Sequence, residues 1–390
     1  VGCYEAWYKA ISTVYAPEGH QLRVVRAIKD AVSVPVFGQG KLFDPARAEA
    51  AVEDGTLDYV VLAHQTLADP EWANKVREGR VDDIRPCIGC NQGCIGALKI
   101  GRRAGCAVNP QAAREASFDL TLAAVKKNVL VVGGGVAGME AARCAALRGH
   151  KVTLCEAGNR LGGNLIPAGA HDFKKELNEL NQWYQRQLKK LDVEIELGAK
   201  LDAQAVLYHK PDAVVLAVGA APVVPKVPGI ERENVVDCVT ALTGKDLPGE
   251  NILVVGGGLV GCETALGYAQ AGKHVTILEA LPDILSAGIP VPEMNSSMLR
   301  DLLAEQNVSL KTGARLTCVT ETGAVATAAD GTEEAIPADH IVLAVGFASR
   351  LSLAQELQGA GVAVYQVGDG GKVGSVMTAI GSAYTVGRQL

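Results

Sequence analysis

Asn128–Ala157 reads NVLVVGGGVAGMEAARCAALRGHKVTLCEA, and Asn251–Ala280 reads NILVVGGGLVGCETALGYAQAGKHVTILEA; aligned without a gap, 16 of the 30 positions are identical. Each copy has the order strand, G-x-G-x-x-G, helix, strand, acid. The glycines are Gly133, Gly135 and Gly138 in the first copy and Gly256, Gly258 and Gly261 in the second. The acids, Glu156 and Glu279, both fall 23 residues after the first glycine. The first glycine makes the tight turn out of the strand, the second lets a pyrophosphate approach the backbone, and the third lets helix and strand pack closely. The helix start then offers free N–H groups to phosphate, and the acid can accept hydrogen bonds from an adenosine ribose. A single glycine motif is weak evidence, but the full context occurs twice, which predicts two dinucleotide-binding units.

Outward from the repeats, a strand Ala213–Val218 closed by Gly219 precedes a Pro222–Pro228 linker. A strand Ile341–Val345 closed by Gly346 follows the second copy, and the tail carries Val367-Gly368-Asp369. Toward the start, the pattern predicts a helix over 22–31, a buried strand Val34–Phe37, a helix near Pro45–Asp54 and a strand Tyr59–Ala63, the spacing of a parallel βαβ unit. Residues 64–86 read as a polar connection and 87–110 as loop. A carboxylate at Glu279 would repel a 2′-phosphate, so the second unit is expected to prefer NADH over NADPH.

Four cysteines, Cys87, Cys90, Cys94 and Cys106, are spaced C-x2-C-x3-C-x11-C. Thiolates gathered this closely in a reducing compartment call for a metal that neutralises them. Two readings compete, a tetrahedral zinc and an iron–sulfur cluster. Zinc sites more often pair two C-x2-C hairpins, whereas three close cysteines and one remote favour a cubane. The other six, Cys3, Cys144, Cys155, Cys238, Cys262 and Cys318, read as buried small hydrophobes.

The chain's 390 residues, 48 % of them hydrophobic, can bury two or three cores, and 44 glycines against 4 % aromatics suit α/β units. The net charge of −6 provides no footprint for nucleic acid or an anionic membrane. With no signal peptide or spanning segment, a cytoplasmic location is expected. The chain opens on Val1 without a methionine and is expected to continue a longer protein.

The cysteine segment Arg85-Pro86-Cys87-Ile88-Gly89-Cys90-Asn91-Gln92-Gly93-Cys94, with Cys106-Ala107-Val108-Asn109-Pro110, resembles the C-terminal part of the 2,4-dienoyl-CoA reductase, enoate reductase and trimethylamine dehydrogenase family. The three-residue gap between Cys90 and Cys94 looks more like the two reductases. Those proteins join an FMN-binding old-yellow-enzyme barrel to a [4Fe–4S] loop and a glutathione-reductase-like pair of nucleotide domains. The resemblance implies an α/β chain in four parts. Residues 1–84 would be the last strands of a TIM barrel, 85–125 the [4Fe–4S] segment, 126–240 with 335–390 the FAD domain, and 241–334 the NAD(H) domain. It implies Cys87, Cys90, Cys94 and Cys106 as cluster ligands. FAD would meet the first repeat together with Gly162, Gly163, Asn164, Gly219 and Asp369, and NADH would meet the second. Gly40, Lys41, Ala63 and His64 would lie at the FMN phosphate, with His64 departing from the family's arginine. The implied activity is electron transfer from NADH through FAD, cluster and FMN to an activated C=C bond of an unsaturated acid or acyl-CoA. The alternatives are an amine dehydrogenase passing electrons outward and a non-catalytic zinc-bearing chain. No catalytic residue is assigned, none of the seven histidines included, and a homo-oligomer is compatible with the sequence.

Overall fold

The computed structural model describes residues 4–244 and 247–390; Cys3 lies outside them. The chain divides into two compact units. One comprises residues up to Leu165, Asp172–Gly219 and Arg350–Leu390; the other comprises Ile166–His171 and Ala220–Ser349.

The first unit is built on a five-stranded parallel sheet in the order Ala363–Gln366, Ala213–Leu216, Asn128–Val132, Lys151–Glu156, Glu194–Leu197. The first repeat supplies its centre, with Leu130 opposite both Thr153 and Val214. Val129, Leu130, Val131 and the whole of Ala213–Leu216 are buried, as expected of parallel strands covered on both faces. The repeat's helix, Val136–Leu147, is rich in alanine and buried over most of its length, packing chiefly against the C-terminal helix Val376–Gln389. That helix starts with a Ser375–Thr378 capping box, which satisfies two of its free N–H groups.

The same unit contains the N-terminal segment. Its helices Leu22–Ala31 and Pro45–Glu53 flank two short parallel strands, Phe37–Gly38 and Tyr59–Val60. The expected buried strand at Val34–Phe37 is corrected here. Val34 and Phe37 are 61 % and 67 % exposed, because the two-stranded sheet has no third strand or covering layer on that side among the described residues. Residues 64–86 are also not a plain connection: they hold short helices at His64–Ala68 and Trp72–Arg77 and a 3-10 turn at Val81–Asp83. A further short helix, Ile95–Lys99, interrupts the cysteine loop.

The second unit repeats the plan, with a parallel sheet ordered Ser309–Thr312, His274–Glu279, Asn251–Val255, His340–Leu343, Val235–Asp237. A three-stranded antiparallel sheet, Ala314–Thr320, Gly323–Ala328 and Glu333–Pro337, closes its core with Val319, Ala326 and Ile336 against Leu253 and Ile341. Strand Val235–Asp237 pairs with His340–Leu343, and Ala220–Pro222 with Phe347–Ser349. Residues 220–240 and 335–349, grouped by sequence with the first nucleotide domain, therefore fold with the second. Sheet pairing, which the repeat pattern does not encode, sets that boundary. The two strands expected to end at Val218 and Val345 end at Leu216 and Leu343, and one further N–H of each, Ala217 and Ala344, still donates to Val132 and Val255 of the central strands at 2.8 Å before the chain turns away. Of the scattered cysteines, Cys144, Cys155, Cys238 and Cys262 are buried and Cys318 is half-buried.

Candidate functional site

The four clustered cysteines reach one cavity, which they line together with His64 and Asn91. Three side-chain amides hold its walls. Gln65, 1 % exposed, donates to the Arg85 carbonyl at 2.8 Å and accepts from the Cys87 N–H at 3.0 Å. Asn91 donates to the Ser12 carbonyl and Asn109 to that of Leu67. Cys106, separated from Cys94 by eleven intervening residues, joins the others because Gly93 permits backbone contact. A Cβ on Gly93 would lie 3.1 Å from the Cys106 nitrogen, and the Gly105 N–H donates to the Gly93 carbonyl at 2.6 Å. Gln65 carries no motif signal in the sequence; it matters only once the short helix after Tyr59–Val60 sets it beside the cysteine loop.

Burial is the largest influence on all four thiols and pushes each up, Cys90 to about 12. Backbone N–H groups act in the opposite direction: Gly89 on Cys87, Gln92 on Cys90, Ile95 on Cys94, and Val108 and Asn109 on Cys106. Buried thiols ringed by N–H donors suit a group that brings positive charge of its own. A single tetrahedral zinc with Zn–S of about 2.3 Å needs sulfurs about 3.8 Å apart. No three of these sulfurs lie mutually within 4.8 Å. Among the described residues only Cys155, Glu196 and His209 bring three such ligand atoms that close. That pairing has its own cause, since Cys155 and Glu196 are register neighbours and the thiol donates to the carboxylate at 3.6 Å. The four-cysteine cavity thus fits a wider, multi-iron core better than one ion.

The first nucleotide cradle lies at the carboxyl edge of the first sheet. Gly133 leaves the strand at φ +108°, and a Cβ on Gly138 would lie 1.8 Å from the Gly133 carbonyl oxygen. Gly135 starts the helix with no side-chain cap, which leaves its first N–H groups free for phosphate. Gly162 bridges to Gly135, and Gly163 approaches the same residue; Asn164 is exposed on the turn that follows. Gly219 adjoins Gly370, and a Cβ on Gly368 would lie 2.7 Å from the Ala137 Cβ. The Asp369 turn therefore packs against the first turn of the motif helix. Burial raises the Asp369 carboxyl, opposed by the Gly374 N–H at 2.9 Å. Glu156 accepts from the Gly134 and Gly158 N–H groups, each at 2.6 Å. The acid thus clamps the glycine loop, and each carboxylate oxygen keeps a second lone-pair direction that a ribose hydroxyl could use.

The second cradle has the same build. Gly256 stands at φ +109°, a Cβ on Gly261 would lie 1.8 Å from the Gly256 carbonyl oxygen, and Gly258 starts its helix uncapped. Glu279, 7 % exposed, accepts from Gly257 at 2.5 Å and Leu281 at 2.7 Å.

The residues expected at an FMN phosphate do not supply its counter-charge. The Lys41 ammonium is buried, ion-paired with Glu176 at 2.7 Å, and donates to the Val14 and Ala16 carbonyls at 3.0 and 2.8 Å. Its three protons are committed. His64 faces the cysteine cavity, and burial lowers its imidazole pKa, which keeps it neutral at pH 7. Ala63 is exposed, and Gly40 makes a tight turn at φ +133° against Gln21. The Lys41–Glu176 pair is instead a structural tie between the N-terminal segment and helix Lys175–Lys190. Removing one partner leaves a buried charge, which costs about 3–5 kcal/mol. Lys41→Met is therefore expected to lower the thermal midpoint markedly, and the double change Lys41→Met, Glu176→Leu to restore most of it, as read by thermal unfolding.

Paired glycine cradles on two parallel sheets are the build of a dinucleotide-binding protein, and residues 127–375 match the pyridine nucleotide-disulphide oxidoreductase family, to which the chain belongs. It is 39 % identical over 390 residues to a cinnamate reductase of Clostridium sporogenes, covering 100 % of this chain and 58 % of that protein. It is 36 % identical over 396 residues to an NADH oxidase of Thermoanaerobacter brockii, covering 100 % of this chain and 60 % of that one. The structure of a 2-naphthoyl-CoA reductase in complex with 2-naphthoyl-CoA superposes with a TM-score of 0.91 at 32 % identity, covering 97 % of this chain and 57 % of that one. The chain thus spans less than two thirds of the length of these relatives. No described helix is long and apolar enough to cross a membrane.

Proposed function

We propose that this chain is the electron-entry part of an NADH-dependent flavin and iron–sulfur reductase acting on an activated C=C bond of an unsaturated acid or acyl-CoA. The observation that carries the reading is the cavity lined by four half-buried cysteines in the same compact unit as the first nucleotide cradle. Cys87, Cys90, Cys94 and Cys106 would hold a [4Fe–4S] core. Gly133, Gly135, Gly138, Glu156, Gly162, Gly163, Asn164, Gly219 and Asp369 would hold FAD, and Gly256, Gly258, Gly261 and Glu279 NADH. When bound, these groups supply hydride acceptance and single-electron relay. The chain's own residues supply phosphate-facing N–H groups, the two ribose-facing carboxylates and a closed thiolate cage. With Lys41 and His64 otherwise engaged, no FMN-dependent step is part of this reading. The substrate class rests on the cinnamate and naphthoyl-CoA reductases among its relatives.

An outward-running amine dehydrogenase would have no use for a nicotinamide, and the intact second cradle with Glu279 disfavours it. Anaerobic NADH is expected to bleach the flavin of the whole protein within its turnover time; a flavin that stays oxidised overturns the reading. Two like unit charges 4 Å apart repel by about 4 kcal/mol at a surface-like effective dielectric. Because Glu279 faces the adenosine ribose, kcat/KM is expected to favour NADH over NADPH by at least about tenfold, since 1.4 kcal/mol is already a factor of ten.

A further inference from the structure

Arg85 stands immediately before the cysteine loop and is held at several points. Its backbone N–H donates to Asp69 at 2.8 Å, its carbonyl accepts from Gln65 at 2.8 Å, and its Nη1 donates to the Val108 carbonyl, two residues beyond Cys106, at 3.0 Å. The guanidinium lies 4.7 Å from the centre of the Trp183 ring, and the Trp183 indole N–H is itself fixed on the Asp83 carbonyl at 3.0 Å. A cation tethered this way has little freedom to swing into solvent.

The other charges nearby are already paired. Arg143, also over Trp183 at 5.7 Å, makes two bonds to Glu140 at 2.8 and 3.0 Å. Asp69 is paired with Lys75 at 2.5 Å. Among the described residues no carboxylate pairs with the Arg85 guanidinium, and its Nε is buried without a hydrogen-bond partner. The Arg85 guanidinium acts on the Glu140 carboxylate together with Arg143 but forms no ion pair of its own, and it is anchored on the Val108 carbonyl at the edge of the cysteine loop, where a negative group in the cavity would stabilise it.

We propose that Arg85 is the counter-charge that sets the reduction potential of the group held by Cys87, Cys90, Cys94 and Cys106. This rests on the cluster reading above. Adding an electron to a thiolate-bound cluster increases its negative charge, and a fixed cation in a poorly screened site stabilises the reduced form more than the oxidised one. Arg85 thereby raises the potential and makes the cluster a better acceptor. The Trp183 stack and the Val108 bond hold the charge at constant distance, so the shift is built into the fold.

The test is an EPR-monitored potentiometric titration of the whole protein with dithionite, with iron and FAD counted per chain. Arg85→Met is expected to keep its iron and FAD and to shift the cluster potential lower. Arg85→Lys, which keeps the charge, is expected to recover most of the shift. A potential unchanged in iron-replete Arg85→Met overturns the proposal. Should Arg85→Met lose iron, Arg85→Gln is titrated in its place; loss of iron in both variants overturns the tuning role in favour of a purely structural one. A wild-type chain without a reducible cluster is a separate result, which removes the cluster reading itself.

Discussion

A Cys94→Ser chain is expected to lose its iron and its cluster EPR signal while NADH still bleaches its FAD. Cys94 is one of four half-buried cysteines lining one cavity, and its replacement leaves a cage with three thiols. The cradle expected to hold FAD uses none of these residues. It rests on Gly133, Gly138, Glu156 and the Asp369 turn, all packed on the parallel sheet. Iron should fall from about four per chain toward zero, and substrate reduction should fall to background. Cys155→Ser is the matched control. That thiol is buried in the core and bonded to Glu196, away from the cavity, so its loss should leave iron unchanged. Substrate turnover that survives Cys94→Ser would take the cluster out of the electron path. Zinc in place of iron in the wild-type protein would overturn the cluster assignment.

Gly138→Ala and Gly261→Ala are expected to have different consequences although the two positions are geometrically alike. In each, the added methyl would lie 1.8 Å from the carbonyl oxygen of the first motif glycine and 3.0 Å from its carbonyl carbon. Backbone cannot yield as a flexible side chain can, so the turn that presents N–H groups to the pyrophosphate must shift. Overpacking of this kind costs about 1–3 kcal/mol, equivalent to roughly a five- to 150-fold loss of affinity. Gly138→Ala should be isolated largely without FAD. Gly261→Ala should retain FAD, with the NADH concentration needed for bleaching raised by that factor. Exchange of the two outcomes would exchange the cofactor assignments. Flavin content by absorbance and bleaching by stopped-flow measure both.

Much of this architecture is legible because the glycine motif is local physics. A turn at positive φ, an uncapped helix start and a close helix–strand approach each demand glycine at one position, and both copies meet all three demands. The cysteine spacing is legible for the same reason, since metal ligands must be brought within a few bonds of one another. The domain boundary was less legible. The sequence marks a strand at Ile341–Val345 but none at Val235–Asp237, and the place of both segments in the second sheet depends on pairing across more than a hundred residues. The antiparallel strands of 314–337 carry no motif and gain their place by covering the core around Leu253 and Ile341.

Lys41 and His64 show where a local reading stops. The family resemblance implied phosphate contacts for both, but a long side chain goes where burial and charge are best satisfied. Glu176, 135 residues away in the chain, takes the ammonium. His64 begins a short helix that brings it and Gln65 to the cysteine cavity. The sequence by itself determined two dinucleotide units and a four-thiol site, because turn geometry and ligand spacing act over a few residues. Only the tertiary structure decided that the four cysteines share one cavity, that Lys41 is a structural tie, and that Arg85 is held on the Val108 carbonyl and the Trp183 ring at the edge of the cysteine loop. Those outcomes depend on which distant groups share a low-dielectric interior, where a partner's presence or absence sets the energy.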